Sequence, residues 1–154
     1  MTGCHVNSAR VVVDSRIAQT PEALYCRLRQ KGTKQLIFVP STVCSWPLDA
    51  EQWGDFLNRI FAIWVREDIG KLSVQIFDDA LEAWCGERVY QGNGSLKCQS
   101  CFGRRLCTSA NNSLLCDGYL AFYQYSAPFM KVMRDLIRNN HSASELMTLL
   151  RQTR

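Results

Sequence analysis

The chain lacks several features that would each have settled its class. Nowhere does it run to the roughly 18 consecutive apolar residues that a membrane-crossing helix requires, so no spanning segment is expected. Met1-Thr2-Gly3-Cys4-His5 offers neither a basic leader nor an apolar h-region, which points to a cytoplasmic protein with no membrane partner. No internal repeat or low-complexity tract is visible, which excludes solenoids and disordered arrays. The net charge of +4 is spread along the chain, and Arg104 with Arg105 is the only basic pair in the cysteine-rich stretch. Without a basic stripe, a nucleic-acid partner is not implied.

What is present is enough for one ordinary domain. The 154 residues are 47% hydrophobic and 21% charged, a composition that supports a packed core. There are eight cysteines, and in a reducing compartment close cysteine spacing points to metal or redox chemistry rather than to disulfides. Cys4, Cys26, Cys44 and Cys85 are scattered and read as packing residues. Cys98, Cys101, Cys107 and Cys116 form C-x2-C-x5-C-x8-C within nineteen residues. Four thiolates in one loop repel one another, and a bound cation or iron-sulfur core removes that penalty. Zinc, which takes four thiolates tetrahedrally, and a 4Fe-4S cubane, with one thiolate per iron, both fit the donor set. A zinc ribbon more often repeats C-x2-C on its far side, so the C-x8-C half leans away from zinc.

The pattern along the chain predicts an α/β protein. Val11, Val12 and Val13 form a β-branched run suited to a strand buried on both faces. Thr20 as a side-chain cap and Pro21 at the first position open a helix that Gly32 ends. Leu36 to Val39 gives a second strand, making a β-α-β unit whose parallel edges invite pairing. Asp49 and Gln52 read as a capping pair. Trp53, Phe56, Leu57, Ile60, Phe61 and Trp64 then recur at helical spacing as a core face, stopped by Gly70. Lys71 to Phe77 alternates as a strand, with Asp78 capping a short helix through Trp84 and Asp78 and Asp79 as cap and surface carboxylates. Gly86 to Lys97 is a turn-rich link into the cysteine loop. Asp117 to Asn139 is helical, with Pro128 expected to interrupt it and Ser126 to cap a second helix. Ser142 and Glu145 read as a final capping box ahead of Leu146. Leu106, Leu114, Leu115 and the following aromatics would give the metal loop a low-polarity surround.

The run Cys98-Gln99-Ser100-Cys101-Phe102-Gly103-Arg104-Arg105-Leu106-Cys107 and then Leu115-Cys116-Asp117-Gly118-Tyr119 resembles the carboxy-terminal iron-sulfur region of anaerobic sulfatase-maturating enzymes. These are radical S-adenosylmethionine enzymes with a SPASM-type extension. The resemblance extends through Ala121 to Met130, Glu51 to Leu57, Val74 to Asp78 and Ala18 to Tyr25. It implies that residues 1–85 are the C-terminal part of a partial, TIM-like β/α barrel. Residues 86–154 would be a shortened SPASM-like iron-sulfur region with C-terminal helices.

It implies further that Cys98, Cys101, Cys107 and Cys116 bind one auxiliary 4Fe-4S cluster. Asn111 stands where the family places a cysteine of the other auxiliary cluster. Family members are oxidoreductases that convert a sulfatase cysteine or serine to formylglycine. The C-x3-C-x2-C triad that binds the S-adenosylmethionine cluster is absent from this sequence, and no S-adenosylmethionine site is identified. The family's further motif, a Cys followed at some distance by Gly-x4-Cys with an aspartate after it, is also unmet, since Cys85 and Gly94 are too close, Gly94-x3-Cys98 is one residue short and Gln99 takes the acid's place. The resemblance therefore implies a truncated C-terminal portion, inactive alone, with a sulfatase or a full-length maturase as partner. A non-catalytic interaction module stapled by a zinc or iron-sulfur loop is the alternative.

Overall fold

A computed structural model describes residues 7–43, 45–86 and 113–152. Strand β1 (Ser8–Val13), helix α1 (Pro21–Gln30) and strand β2 (Gln35–Pro40) form the expected parallel β-α-β unit, with Ser8 opposite Gln35 and Val13 opposite Pro40. Helix α2 (Ala50–Glu67) follows, then the two-residue strand β3 (Ser73–Val74), which pairs with β2 to give the order β1-β2-β3. Helix α3 (Gln75–Trp84), the long helix α4 (Cys116–Arg138) and helix α5 (Glu145–Gln152) complete the described chain. The α/β class holds.

Helix α2 is the spine because its sequence leaves it no other place. Trp53, Phe56, Leu57, Ile60 and Phe61 are fully buried and Trp64 nearly so, as their three- and four-residue spacing demands. Its start is fixed by the predicted capping box: Asp49 accepts from the Gln52 N–H at 2.7 Å, and the Gln52 side chain accepts from the Asp49 N–H at 3.1 Å. Gly32 (φ 77°) and Gly70 (φ 81°) adopt the left-handed conformation after α1 and α2, where a Cβ would be strained. The Phe61 ring meets Phe77 and Phe122 edge-on, at centroid separations of 5.1 and 5.7 Å. One aromatic core thus joins α2, α3 and α4.

Several local expectations are corrected. Strand β1 is buried on one face only: Val13 is fully buried while Val12 is 55% exposed. Thr20 makes no side-chain cap; its carbonyl accepts from Leu24 instead. The strand predicted over Lys71 to Phe77 shrinks to Ser73–Val74 and α3 begins at Gln75. Phe77, Ala80, Leu81 and Trp84 lie at helical spacing and pack on the core, which outweighs the short alternation before them. Asp78 therefore lies inside the first turn and does not cap it. Pro128 does not interrupt α4: it sits on the solvent side, where the carbonyl freed one turn earlier can be hydrated. Ser126 is buried and donates to the Tyr123 carbonyl at 3.4 Å. The Ser142–Glu145 box does not form either. Ser142 accepts from the Ser144 N–H, and Glu145 turns back to His141 at 3.0 Å.

The approach of α2 to α4 is closest at two glycines. A methyl placed at Gly118 would collide with the Ala50 carbonyl oxygen and reach within 3.1 Å of the Gly54 nitrogen; one at Gly54 would lie 3.1 Å from the Gly118 carbonyl oxygen. Backbone cannot give way as a flexible side chain can. Gly118→Ala should therefore destabilise the fold by roughly 1–3 kcal/mol, although alanine gains about 1 kcal/mol over glycine in helix propensity. Urea denaturation measures this directly, and a variant as stable as the parent would show that the crossing is looser than described.

Candidate metal centre and its surroundings

Of the four clustered cysteines, Cys98, Cys101 and Cys107 lie outside the described residues, as do Leu106, Asn111, Cys4 and Cys44. Cys116 is described. It is the half-buried first residue of α4, two positions before the glycine that meets the Ala50 carbonyl. The residues leading into it form a short 3-10 turn, Ser113–Leu115, anchored by fully buried Leu115. Leu114 is 72% exposed, whereas Leu115 is fully buried in the core. Among the described residues no three potential ligands converge on one metal position.

The starts of α2 and α4 flank an open depression of about 830 Å³ whose lining includes Asp49, Glu51, Asp55, Asn58 and Asp117, the residue after Cys116. Asp55 is paired with Arg59 at 3.1 Å, and Arg59 also reaches Glu22 of α1 at 3.8 Å. At the far end of α2 the chain holds a polar network that sequence reading missed. The Tyr25 hydroxyl donates to Asp68 at 2.5 Å, and Arg29 spans Glu67 and Asp68 at 2.8 and 3.0 Å. Burial and the hydrogen bond to Asp68 push the Tyr25 hydroxyl far above its ordinary range, and the Glu67 and Asp68 hydrogen bonds raise Arg29. This network locks α1 to the end of α2. Its partners lie 43, 38 and 39 residues apart in sequence, so no local spacing signals it.

Of the scattered cysteines, Cys26 lies 3.9 Å from Arg29 Nη2. Cys85 lines a cavity of about 260 Å³ with Asp78, Leu81, Glu82 and Ile137. Asp78 accepts a short hydrogen bond from the Ser73 hydroxyl. Burial pushes its carboxyl above the usual range, opposed by the Ser73 hydrogen bond and aided by the charges of Asp79 and Glu82.

No protein-family model matches the chain. In three dimensions it has the fold of part of a sulfatase maturase. The solved structure of native anSMEcpe with bound AdoMet superimposes with a TM-score of 0.64 at 17% identity, over 83% of this chain and 57% of that one. A polyhistidine-tagged form with bound AdoMet gives 0.63 at 16%, over 90% and 57%. In sequence the chain is distantly related to the serine-type anaerobic sulfatase-maturating enzyme of Bacteroides thetaiotaomicron, at 23% identity over 71% of this chain and 44% of that protein. It thus spans about half the length of these enzymes. With the uncharacterized protein YidF of Escherichia coli K12 it shares 40% identity over 98% of its own length and all of that protein, and it belongs to the YidF family. No helix among the described residues is long and apolar enough to cross a membrane.

A carboxyl whose folded-state pKa is raised holds its proton more tightly in the fold than in the unfolded chain. Its contribution favours the fold at low pH and is lost as pH rises from the ordinary 3.8 through the folded value. Asp78→Asn keeps an acceptor for Ser73 but cannot ionise. Its melting temperature should gain on the parent's as pH rises above the ordinary 3.8 through the carboxyl's raised folded value; a difference that does not change with pH there would show that Asp78 carries no such penalty.

Proposed function

We propose that the chain is an iron-sulfur protein of the sulfatase-maturase lineage, holding one 4Fe-4S cluster on Cys98, Cys101, Cys107 and Cys116. The observation that carries this reading is the placement of Cys116. Tight backbone packing fixes the start of α4, so one ligand of the C-x2-C-x5-C-x8-C set stands on a rigid element beside buried Leu115. The donor set fits the group: four thiolates match a cubane, and the start of a helix suits an anionic metal-thiolate assembly. Leu115, Tyr119 and the α4 aromatics shield that side from water, which together with the net charge tunes the potential of a bound cluster. Such a cluster supplies one-electron chemistry.

The name of the Bacteroides relative speaks of sulfatase maturation, and bound AdoMet belongs to the solved enzymes. This sequence contains no C-x3-C-x2-C triad, and on our reading it does not cleave S-adenosylmethionine by itself. It corresponds to the later part of a partial β/α barrel, through residue 85, and a shortened SPASM-like region from residue 86. It acts with a sulfatase or a full-length maturase. If the loop instead holds zinc, the chain is a non-catalytic interaction module in which the metal is a staple.

The test is anaerobic purification with iron, sulfide and zinc analysis and electron paramagnetic resonance after reduction. Iron and acid-labile sulfide in equal amounts, falling on Cys116→Ser while the circular dichroism of the fold is kept, are expected. Zinc at one per chain without iron would sink the cluster and leave the interaction module.

A further inference from the structure

The three-stranded sheet ends at β1, and among the described residues no strand pairs with its outer edge. The direction of its backbone groups follows from those already used. The Asn7 carbonyl accepts from the Lys34 and Gln35 N–H groups and the Val13 carbonyl from the Ser41 N–H. Odd-numbered residues therefore turn their peptide groups toward β2, and alternation turns those of Ser8, Arg10 and Val12 outward. Arg10 and Val12 are exposed on the open face of the sheet; Asp14 follows the last strand residue, Val13, is half-buried, and its carbonyl accepts from the Ala18 N–H at 3.0 Å. Arg10 makes no ion pair among the described residues. Asp14 uses Oδ1 for the N–H groups of Arg16 and Ile17, and its Oδ2 is 3.6 Å from Arg16.

Arg10-Val11-Val12-Val13-Asp14 reads, in charge, as a palindrome of opposite sign about Val12. A twofold axis perpendicular to the sheet makes two copies of an edge strand antiparallel, and residues of equal parity then face each other. We propose that β1 pairs with β1 of a second copy of this chain about a twofold axis at Val12, with Arg10 of each copy opposite Asp14 of the other. In this register the outward N–H and C=O of Val12 bond to their symmetry mates and the half-exposed Val12 side chains cover one another. Val11 faces Val13 on the core side. The neighbouring registers are poorer. Centring on Arg10 sets two arginines against each other, which is destabilising, and centring on Val11 leaves both charges unpaired. Self-complementarity is what a twofold interface requires, and it selects a second copy over an unrelated strand for an edge that otherwise invites pairing.

Analytical ultracentrifugation of the full chain, under reducing and anaerobic conditions, tests this. The parent should be a dimer. Arg10→Asp places like charges at both ends of the pairing and should weaken association on the order of tenfold, whereas Arg10→Lys should not. Asp14→Arg should weaken it likewise, and an equimolar mixture of Arg10→Asp and Asp14→Arg chains should recover dimers, because opposite charges meet again at both ends. Circular dichroism establishes that each variant is folded; should Asp14→Arg fail to fold, the contrast between Arg10→Asp and Arg10→Lys decides. A monomeric parent, an Arg10→Asp chain that dimerises as the parent does, or folded single variants that do not recover on mixing would each overturn the proposal.

Discussion

The contact between the Ala50 carbonyl and Gly118, with Gly54 facing it, sets the distance between α2 and α4, and that distance is shorter than any side chain allows. Because the two backbones touch, the aromatic rings on either side must interdigitate. Trp53 meets Tyr119 edge-on at 5.8 Å, and Phe61 meets edge-on both Phe77 and Phe122, which stack on each other at 5.3 Å. Because α4 begins two residues before the glycine, the same contact fixes Cys116. A side chain on a rigid helix start costs less to order than one carried wholly by a loop.

The other end of α2 is held by different chemistry. There Asp68, nearly buried at the helix terminus, receives the Tyr25 hydroxyl and Arg29, so a charge that would be costly to bury alone is satisfied from two sides. Trp64 adds its indole N–H to the Leu72 carbonyl at 2.8 Å, tying the helix to the segment that leads into β3. Helix α2 is thereby clamped by backbone contact at its start and by a polar network at its end. The sheet it supports keeps one open face and one open edge among the described residues.

Much of this was legible where a single local rule decides the outcome. The Asp49–Gln52 box, the aromatic stripe of α2, Pro21 at a helix start and the β-α-β order were all readable from spacing. Reading failed where two rules competed. Leu72, Val74 and Ile76 alternate like a strand, but the helical set from Phe77 to Trp84 finds the core and takes over at Gln75. Pro128 signals a break, yet on the solvent face the lost hydrogen bond is tolerable. Tyr25, Arg29 and Asp68 gave no signal because their contact is made only in the fold. Gly54, inside an otherwise apolar helical pattern, was a clue to close packing that spacing alone does not turn into a partner. For the proposed metal centre, the cysteine spacing supplied the candidate ligands, and the fold adds the position of Cys116 at the start of α4.

The central claim, that the glycine crossing delivers Cys116 to an iron-sulfur cluster, is tested most directly by the iron content of Gly118→Ala beside the parent, both purified anaerobically and analysed where both are folded. The parent should carry about four irons per chain, and the variant, with α4 pushed off α2, clearly fewer. A parent without iron, or a folded variant with its iron undiminished, would contradict it.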